Sequence, residues 1–418
     1  MAKVLVAMSG GVDSSTTAFL MQDAGHECVG VTMRLFDPTE EAVRPELACC
    51  TTKDVEDARL VCQTMHIPHV IVDFKAQFAE TVIEPFIKDY ENGRTPNPCI
   101  NCNRYLKFEE LFWQANELGC DFVVTGHYAR TYYNEATGRW VLQKAAYPEK
   151  DQSYVLYNLT QEQLSRIRFP LGDYAKDEVR EIADEHGLLT AHKHESQDIC
   201  FVPGKYTDFI ESYTGKTYPE GDFVDVRNGD VLGRHKGIIR YTVGQRRGLG
   251  LALPQSMYVT KVAPDENRVY LGLDDDLYTT TLIADDVNWI SFPGFEQGAG
   301  GASAAVAPER VGTPESEAQR VDAPESEVQR VDAPESEAQG VEARQGKAPA
   351  SEAPPEPLRV TAKVRYNQQD NPAAVYPEPD GRIKVVFDVP QRAITKGQAV
   401  VLYDGDDVVG GGTIVEVL

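Results

Sequence analysis

Val4-Leu5-Val6-Ala7-Met8-Ser9-Gly10-Gly11-Val12-Asp13-Ser14-Ser15 decides the fold. The apolar run from Val4 to Met8 reads as a buried strand. Gly10 and Gly11 break it, and Val12 to Met21 reads as the opening of a helix. Such a junction aims unsatisfied backbone N–H groups and the positive end of a helix at one point. The glycines allow close approach and unusual dihedrals, while Ser9, Ser14 and Ser15 add hydroxyl donors. Asp13 can hold Mg2+ against a phosphate. The stretch is an anion cradle, and without a lysine after the glycines it is not a Walker loop.

Working outward, strands and helices alternate. Cys28 to Met33 and His69 to Phe74 read as the second and third strands, with helical spacing from Asp54 to Cys62 between them. Asp121 to His127 reads as another buried strand ending at Gly126-His127. These units predict a doubly wound parallel α/β sheet with ligands at the carboxyl ends of its strands, where Ser9, Met33 and Gly126 fall. The two prolines of Thr95-Pro96-Asn97-Pro98-Cys99 predict an exposed loop through Arg104, with a helix over Tyr105 to Phe112. A further helix is expected over Asp177 to His186, stopped by Gly187.

From about Val202 turns multiply, predicting a small β-rich middle domain over 202–277, after a nucleotide-type domain over 1–201. Residues 278–418 read as a C-terminal β-barrel containing the strands Thr361 to Tyr366, Ile383 to Phe387 and Ala399 to Tyr403. Three related segments, Val311–Arg320, Val321–Arg330 and Val331–Gly340, interrupt it. Rich in Pro, Glu and Ala, they predict a disordered acidic surface insertion over about 298–357, tolerated rather than functional.

The chain has 418 residues, 42% hydrophobic and 25% charged, enough for a sizeable core. No apolar run reaches the length of a membrane span, and a strand at the very start leaves no room for a signal peptide, so a cytoplasmic location is expected. The net charge of −24 argues against a nucleic-acid partner only superficially, because much of the acid lies in the insertion. Arg234, Lys236, Arg240, Arg246 and Arg247, interleaved with Tyr241, form a basic run suited to phosphates.

Eight unevenly spaced cysteines do not form a disulfide framework. Cys99 and Cys102 make a single Cys-x-x-Cys with no second pair to complete a four-cysteine zinc site. Cys200 stands alone in His194-Glu195-Ser196-Gln197-Asp198-Ile199-Cys200-Phe201. A thioredoxin-like pair fits poorly in a Pro-Asn-Pro loop beside an anion cradle, which leaves a thiol chemistry working beside that cradle.

The loop from Ser9 to Ser14 resembles the Ser-Gly-Gly-x-Asp-Ser pyrophosphate loop of the N-type ATP pyrophosphatases. These cleave ATP between the α and β phosphates and adenylate a substrate oxygen. Four further motifs follow in order: Thr95-Pro96-Asn97-Pro98-Cys99 with Cys102-Asn103; Thr125-Gly126-His127-Tyr128-Ala129; Lys150-Asp151-Gln152-Ser153-Tyr154; and Ser196 to Phe201. With them the chain resembles the bacterial tRNA-specific 2-thiouridylase family over all but the acidic insertion.

That resemblance implies an adenine nucleotide alpha hydrolase-like first domain and ATP-dependent 2-thiolation of the wobble uridine, position 34, in tRNAs for Lys, Glu and Gln. It implies ATP binding through Ala7, Met8, Ser9, Gly10, Gly11, Val12, Asp13 and Ser14, with Met33 and Gly126 lining the adenosine pocket and Mg2+ on Asp13. Cys200 would carry a persulfide and Cys102 would be the second nucleophile. Asn97, Pro98 and Cys99 would border the flipped base. His127, Lys150, Asp151, Gln152, Arg365, Tyr366 and Gln398 would also contact tRNA.

The expected partners are tRNA and a sulfur donor, either a cysteine desulfurase or a sulfur relay protein, with no membrane and a monomeric chain. Some relatives carry an acidic residue at the position of Cys99, so its role does not carry over directly. An iron–sulfur cluster on Cys99, Cys102 and Cys200 is the alternative, less favoured than the persulfide. Amide- and guanidine-forming ligases and lysidine-type tRNA ligases share the loop but need no cysteine relay. A non-enzymatic sulfur carrier or RNA-binding module would not need the intact Ser9, Asp13 and Ser14.

Overall fold

The computed structural model describes residues 1–36, 52–193, 199–202, 204–295 and 356–418. Cys49, Cys50, the Ser196–Asp198 part of the cysteine motif and nearly all of the expected insertion lie outside the described residues.

The first strands are β1 (Lys3–Ala7), β2 (Glu27–Arg34), β3 (His69–Asp73) and β4 (Phe122–Val124). A hairpin, β5 (Arg130–Asn134) and β6 (Arg139–Gln143), follows, then the short β7 (Ile167–Arg168). A parallel sheet runs in the order β3-β2-β1-β4-β7. Val4, Leu5 and Val6 of its central strand are wholly buried, which is why the run is continuously apolar rather than alternating. Strand order reverses between β1 and β4. The crevice outside their carboxyl ends is where such sheets bind ligands.

Helix α1 (Val12–Asp23) follows β1, and helix α2 (Thr52–Thr64) precedes β3. The buried face of α1 is mostly small, with Ser14, Ser15, Thr16, Thr17 and Ala18, which allows a close approach to helix Lys176–Glu185. Thr16 Oγ1 bonds that helix at Val179 O, 3.3 Å away.

The middle sheet comprises β8 (Gly221–Asp225), β9 (Val231–His235), β10 (Tyr258–Ala263) and β11 (Arg268–Gly272), in the order β10-β11-β8-β9. The barrel uses β12 (Tyr278–Trp289), β13 (Leu358–Lys363), β14 (Asn371–Pro377), β15 (Ile383–Arg392), β16 (Ala399–Asp404) and β17 (Asp407–Val417). Pairing of β12 with both β15 and β17 closes it, and closure removes the open sheet edges. Among the described residues no helix is long and apolar enough to cross a membrane.

One reading is corrected, and one element was not anticipated. The stretch after Pro96 is helical, not an open loop: Pro98–Asn101 forms one turn and Cys102–Glu110 continues as a π-helical run. Pro98 occupies a first-turn position, where its missing N–H costs nothing, and the Asn97 side chain caps Cys99 N at 3.2 Å. The hairpin β5–β6 was unforeseen; it attaches to the barrel at the start of β17, where Gln143 pairs with Asp407.

Candidate active site

The cradle begins where β1 ends. Met8 N donates to Val31 O at 2.8 Å, and Thr32 Oγ1 donates to Met8 O at 2.8 Å. With the hydroxyl proton spent there, the 2.8 Å contact to His69 must be a donation from Nε2–H. Burial, then the charge of Arg59, lowers the His69 pKa, consistent with a neutral ring. Ser9 N donates to Ser14 Oγ at 3.2 Å, while the Ser14 and Ser15 hydroxyls donate to Gly11 O at 3.0 and 2.9 Å. Gly10 has φ +70°, and a Cβ there would lie 2.2 Å from Asp54 O. Only glycine meets both conditions.

Gly126, at the end of β4, sits against the first turn of α1: its Cβ position is 3.0 Å from the Asp13 carbonyl carbon. Met33 is half-buried at the end of β2, against the apolar residues beneath. The two residues expected around adenosine therefore lie at the ends of the two strands that flank β1. Asp13 Oδ1 accepts from Tyr128 OH and from Lys176 Nζ, both at 2.7 Å. Mg2+ is commonly held by one or two carboxylates plus substrate phosphates. One partly exposed carboxylate at the lip of the cradle fits that mode. Among the described residues, no three His, Cys, Asp or Glu side chains converge to hold a metal by themselves.

The cysteines occupy different environments. Cys99 is exposed, Cys102 is buried and Cys200 lies between. Cys102 belongs to the cluster built on Phe78, Phe86, Leu106 and Phe201, and Cys200 and Met33 pack against that same cluster. Two cysteines remote in sequence thus share one apolar neighbourhood with a residue of the nucleotide sheet. The helix carrying Cys102 is anchored by Asn103 Nδ2 to Val155 O at 2.9 Å and by Arg104 to Asp286 of the barrel.

Barrel residues hold the segment before the cysteines. Gln398 Nε2 donates to Thr95 O at 2.8 Å and Pro96 O at 3.2 Å, and Thr95 N donates to Lys396 O at 2.9 Å. Tyr366, also from the barrel, has its pKa pushed up to about 12 by burial, then by Asp151 and Cys99. Cys99, Asp151 and Tyr366, expected together from separate motifs, are electrostatic neighbours. Lys363 stands beside them, its Nζ 5.7 Å from the Tyr366 ring centre. Burial lowers its pKa against the pull of Asp151 and Asp370.

Several residues expected to face RNA are committed to the protein. Asp151 is buried, with Oδ1 accepting from Ala145 N and Ser153 N and Oδ2 from Ser153 Oγ. Gln152 Oε1 accepts from Tyr128 N at 3.0 Å, tying this segment to the residue that holds Asp13. His127 is buried between Thr125 Oγ1 at 2.7 Å from Nδ1 and Lys107 Nζ at 3.4 Å from Nε2. An ammonium only donates, so Nε2 accepts and Nδ1–H donates to Thr125. Burial, then Lys107, holds the His127 pKa well below its usual value, keeping the ring neutral.

Asn97 and Lys150 are half-buried and Pro98 is buried. Arg365 donates to Val243 O, Ala393 O and Thr395 Oγ1, and its Nε is buried without an acceptor among the described residues.

The basic run is not one surface. Lys236 and Arg240 line a cavity of about 940 Å³ together with Lys205, Arg365 and Arg392. Arg234 instead pairs with Asp222 at 2.7 Å. Arg246 and Arg247 are exposed, with Arg246 on the wall of a second cavity. Lys107, Tyr128, Lys176, Lys193 and Lys363 were not singled out from sequence. Only Tyr128 lies within a quoted motif; each of the lysines gains its meaning from a partner distant in the chain.

Three family models match in succession: a tRNA methyl transferase HUP domain at residues 2–204, a tRNA methyl transferase PRC-barrel domain at 207–273, and an aminomethyltransferase beta-barrel domain at 342–414. Full-length relatives named tRNA-specific 2-thiouridylase MnmA are similar throughout. That of Lachnoclostridium phytofermentans is 42% identical, covering 100% of both chains. The Clostridioides difficile protein is 42% identical over 99% of this chain and 98% of its own. The Desulforamulus reducens protein is 43% identical over 99% of this chain and 96% of its own. The model descriptions mention methyl transfer; the end-to-end matches name a thiolation enzyme, and they cover the cysteine motifs as well as the fold.

Proposed function

This chain belongs to the MnmA family of tRNA-specific 2-thiouridylases, and from that membership we propose that it adenylates the C2 oxygen of wobble uridine 34 and replaces it with sulfur relayed from Cys200 with the help of Cys102. The observation that carries this reading is the shared packing of Cys102, Cys200 and Met33 on one apolar cluster. Chemistry needing both a nucleotide and two thiols requires them to meet during turnover, and packing on one extended cluster supports that.

The C2 carbonyl of uridine is a poor electrophile, and its oxygen leaves too slowly to be displaced. Attack of that oxygen on the α phosphate of ATP expels pyrophosphate and leaves AMP on the oxygen, making it a good leaving group. Backbone N–H groups at the start of α1 and the Ser9 hydroxyl hold the phosphates as charge moves onto pyrophosphate. Asp13, kept in place by Tyr128 and Lys176, would hold Mg2+, which neutralises phosphate charge.

Sulfur then arrives as a persulfide on Cys200. Its terminal sulfur attacks C2 and AMP departs with the oxygen. The Cys102 thiolate attacks Cys200 Sγ, breaking the S–S bond, so that sulfur stays on the base and a Cys102–Cys200 disulfide remains. The two thiol-derived protons go to solvent. Burial of Cys102 in an apolar cluster keeps water from competing for the activated base.

A base reached at C2 must be unstacked. Asn97, Pro98, Cys99 and Tyr366 line the approach in this reading, with His127, Lys150, Asp151, Gln152, Arg365 and Gln398 shaping it. Residues 1–201 form the adenylating module, and 202–277 and 278–418 carry tRNA, with those for Lys, Glu and Gln as substrates. A cysteine desulfurase or relay protein reloads Cys200.

The test is incubation of the protein with unmodified tRNA, ATP, Mg2+ and a persulfide source. Nucleoside mass spectrometry should find 2-thiouridine, with pyrophosphate released only when tRNA is present. Absence of tRNA-dependent pyrophosphate release would overturn the reading.

A further inference from the structure

Lys193 lies beyond helix Lys176–Glu185 and outside every motif quoted above. Its ammonium donates to Gly10 O at 2.9 Å, to Asp54 Oδ1 at 2.6 Å and to Asp57 Oδ2 at 2.6 Å. An ammonium has three protons, so all are committed within the protein and none is left for a ligand. Burial opposes the charge on Lys193, but the two carboxylates outweigh it and raise its pKa. The lysine is a permanently charged tie between α2 and the cradle.

What that tie controls follows from peptide geometry. In a trans peptide the C=O and the next residue's N–H point in opposite directions. Drawing the Gly10 carbonyl toward Lys193 turns Gly11 N–H away from it. Gly11 caps α1, whose first N–H groups have no acceptor within the helix. Without the lysine, the Gly10–Gly11 peptide is free to rotate, and a carbonyl can replace an N–H at the anion site. Asp54 acts on both counts: its carbonyl oxygen fills the space of a Gly10 side chain, and its carboxylate holds Lys193.

We propose that Lys193 is a positioning residue of the pyrophosphate site, fixing the Gly10–Gly11 peptide so that the loop offers N–H rather than C=O to the β and γ phosphates of ATP. The proposal rests on the reading that this loop binds ATP. It makes a selective prediction: loss of Lys193 weakens ligands that carry the pyrophosphate and spares those that do not.

The experiment titrates ATP, inorganic pyrophosphate and AMP into the full-length wild type and Lys193→Met by calorimetry. ATP and pyrophosphate affinity should fall roughly ten- to hundredfold, the worth of one or two charge-assisted hydrogen bonds. AMP affinity should stay within about threefold, since its contacts lie elsewhere. Equal loss for ATP and AMP would mark Lys193 as merely structural and overturn the proposal, as would no loss for either.

Lys193→Met also leaves Asp54 and Asp57 facing each other, so Asp57→Asn provides a second variant. It should show a smaller loss with the same selectivity, and the double variant should bind ATP no worse than Lys193→Met alone. Additive losses would contradict an action of Asp57 through Lys193. A wild type that binds neither ATP nor pyrophosphate would reject the ATP reading itself, and the proposal with it.

Discussion

Replacing Gly10 by alanine tests the cradle against a control one residue away. At Gly10 the backbone has φ +70° and the new Cβ would lie 2.2 Å from Asp54 O. The left-handed conformation costs a non-glycine residue about 1–2 kcal/mol. The clash must be relieved by backbone movement of nearly an ångström, since no flexible side chain is involved, and overpacking of this kind adds about 1–3 kcal/mol. Gly10→Ala should therefore lose about 2–5 kcal/mol in urea unfolding.

A displacement of that size in a positioning loop costs roughly a hundredfold in rate, which tRNA-dependent pyrophosphate release would read directly. Gly11 has φ −95°, and its Cβ position meets only Ser9 Oγ at 3.5 Å. Gly11→Ala loses only the cap preference of glycine, about 1 kcal/mol or less, and should keep adenylation within about threefold. Equal adenylation defects in the two variants, or none in Gly10→Ala, would refute the assignment of the loop.

Cys102→Ser and Cys200→Ser should each abolish 2-thiouridine formation while leaving tRNA binding and pyrophosphate release in place, read by nucleoside mass spectrometry beside a pyrophosphate assay. His127 is neutral when folded, and the unfolded chain takes up its proton below about pH 6.5. The stability it contributes is therefore complete above that pH and is lost as pH falls toward the depressed folded pKa. The slope reaches about 1.4 kcal/mol per pH unit, and His127→Asn should remove that part of it in urea titrations between pH 7 and 5. Deleting residues 298–357 and closing the gap with a short flexible linker should leave turnover unchanged; a large fall in turnover with unfolding unaltered would assign the insertion a role.

Local pattern carried the nucleotide sheet well. A strand buried on both faces has to be apolar along its length, and Val4 to Val6 and Val123 to Val124 show this directly in the chain. The glycine pair and hydroxyls of the cradle are equally local. What escaped reading was set at long range. The hairpin Arg130–Asn134 and Arg139–Gln143 has no alternating apolar pattern to announce it, and its place beside the barrel depends on Asp407.

The Pro96–Pro98 stretch was misread because a proline that breaks a helix interior is welcome in its first turn, and only the Asn97 cap distinguishes the two. The lysines around the cradle could not be found by spacing. Lys176 and Lys193 matter because folding brings Asp13, Asp54 and Asp57 to them. The basic run shows the converse: neighbours in sequence, Arg234 and Lys236 alternate along and beyond β9 and end in different surroundings.

The most direct measurement is a single turnover with the protein preloaded as the Cys200 persulfide and supplied with excess ATP, Mg2+ and unmodified tRNA. The account predicts no more than one 2-thiouridine per chain, at least one pyrophosphate for each, and a Cys102–Cys200 disulfide appearing at the same rate in peptide mapping. Formation of 2-thiouridine without ATP, or with Cys102 still a thiol after turnover, would contradict it.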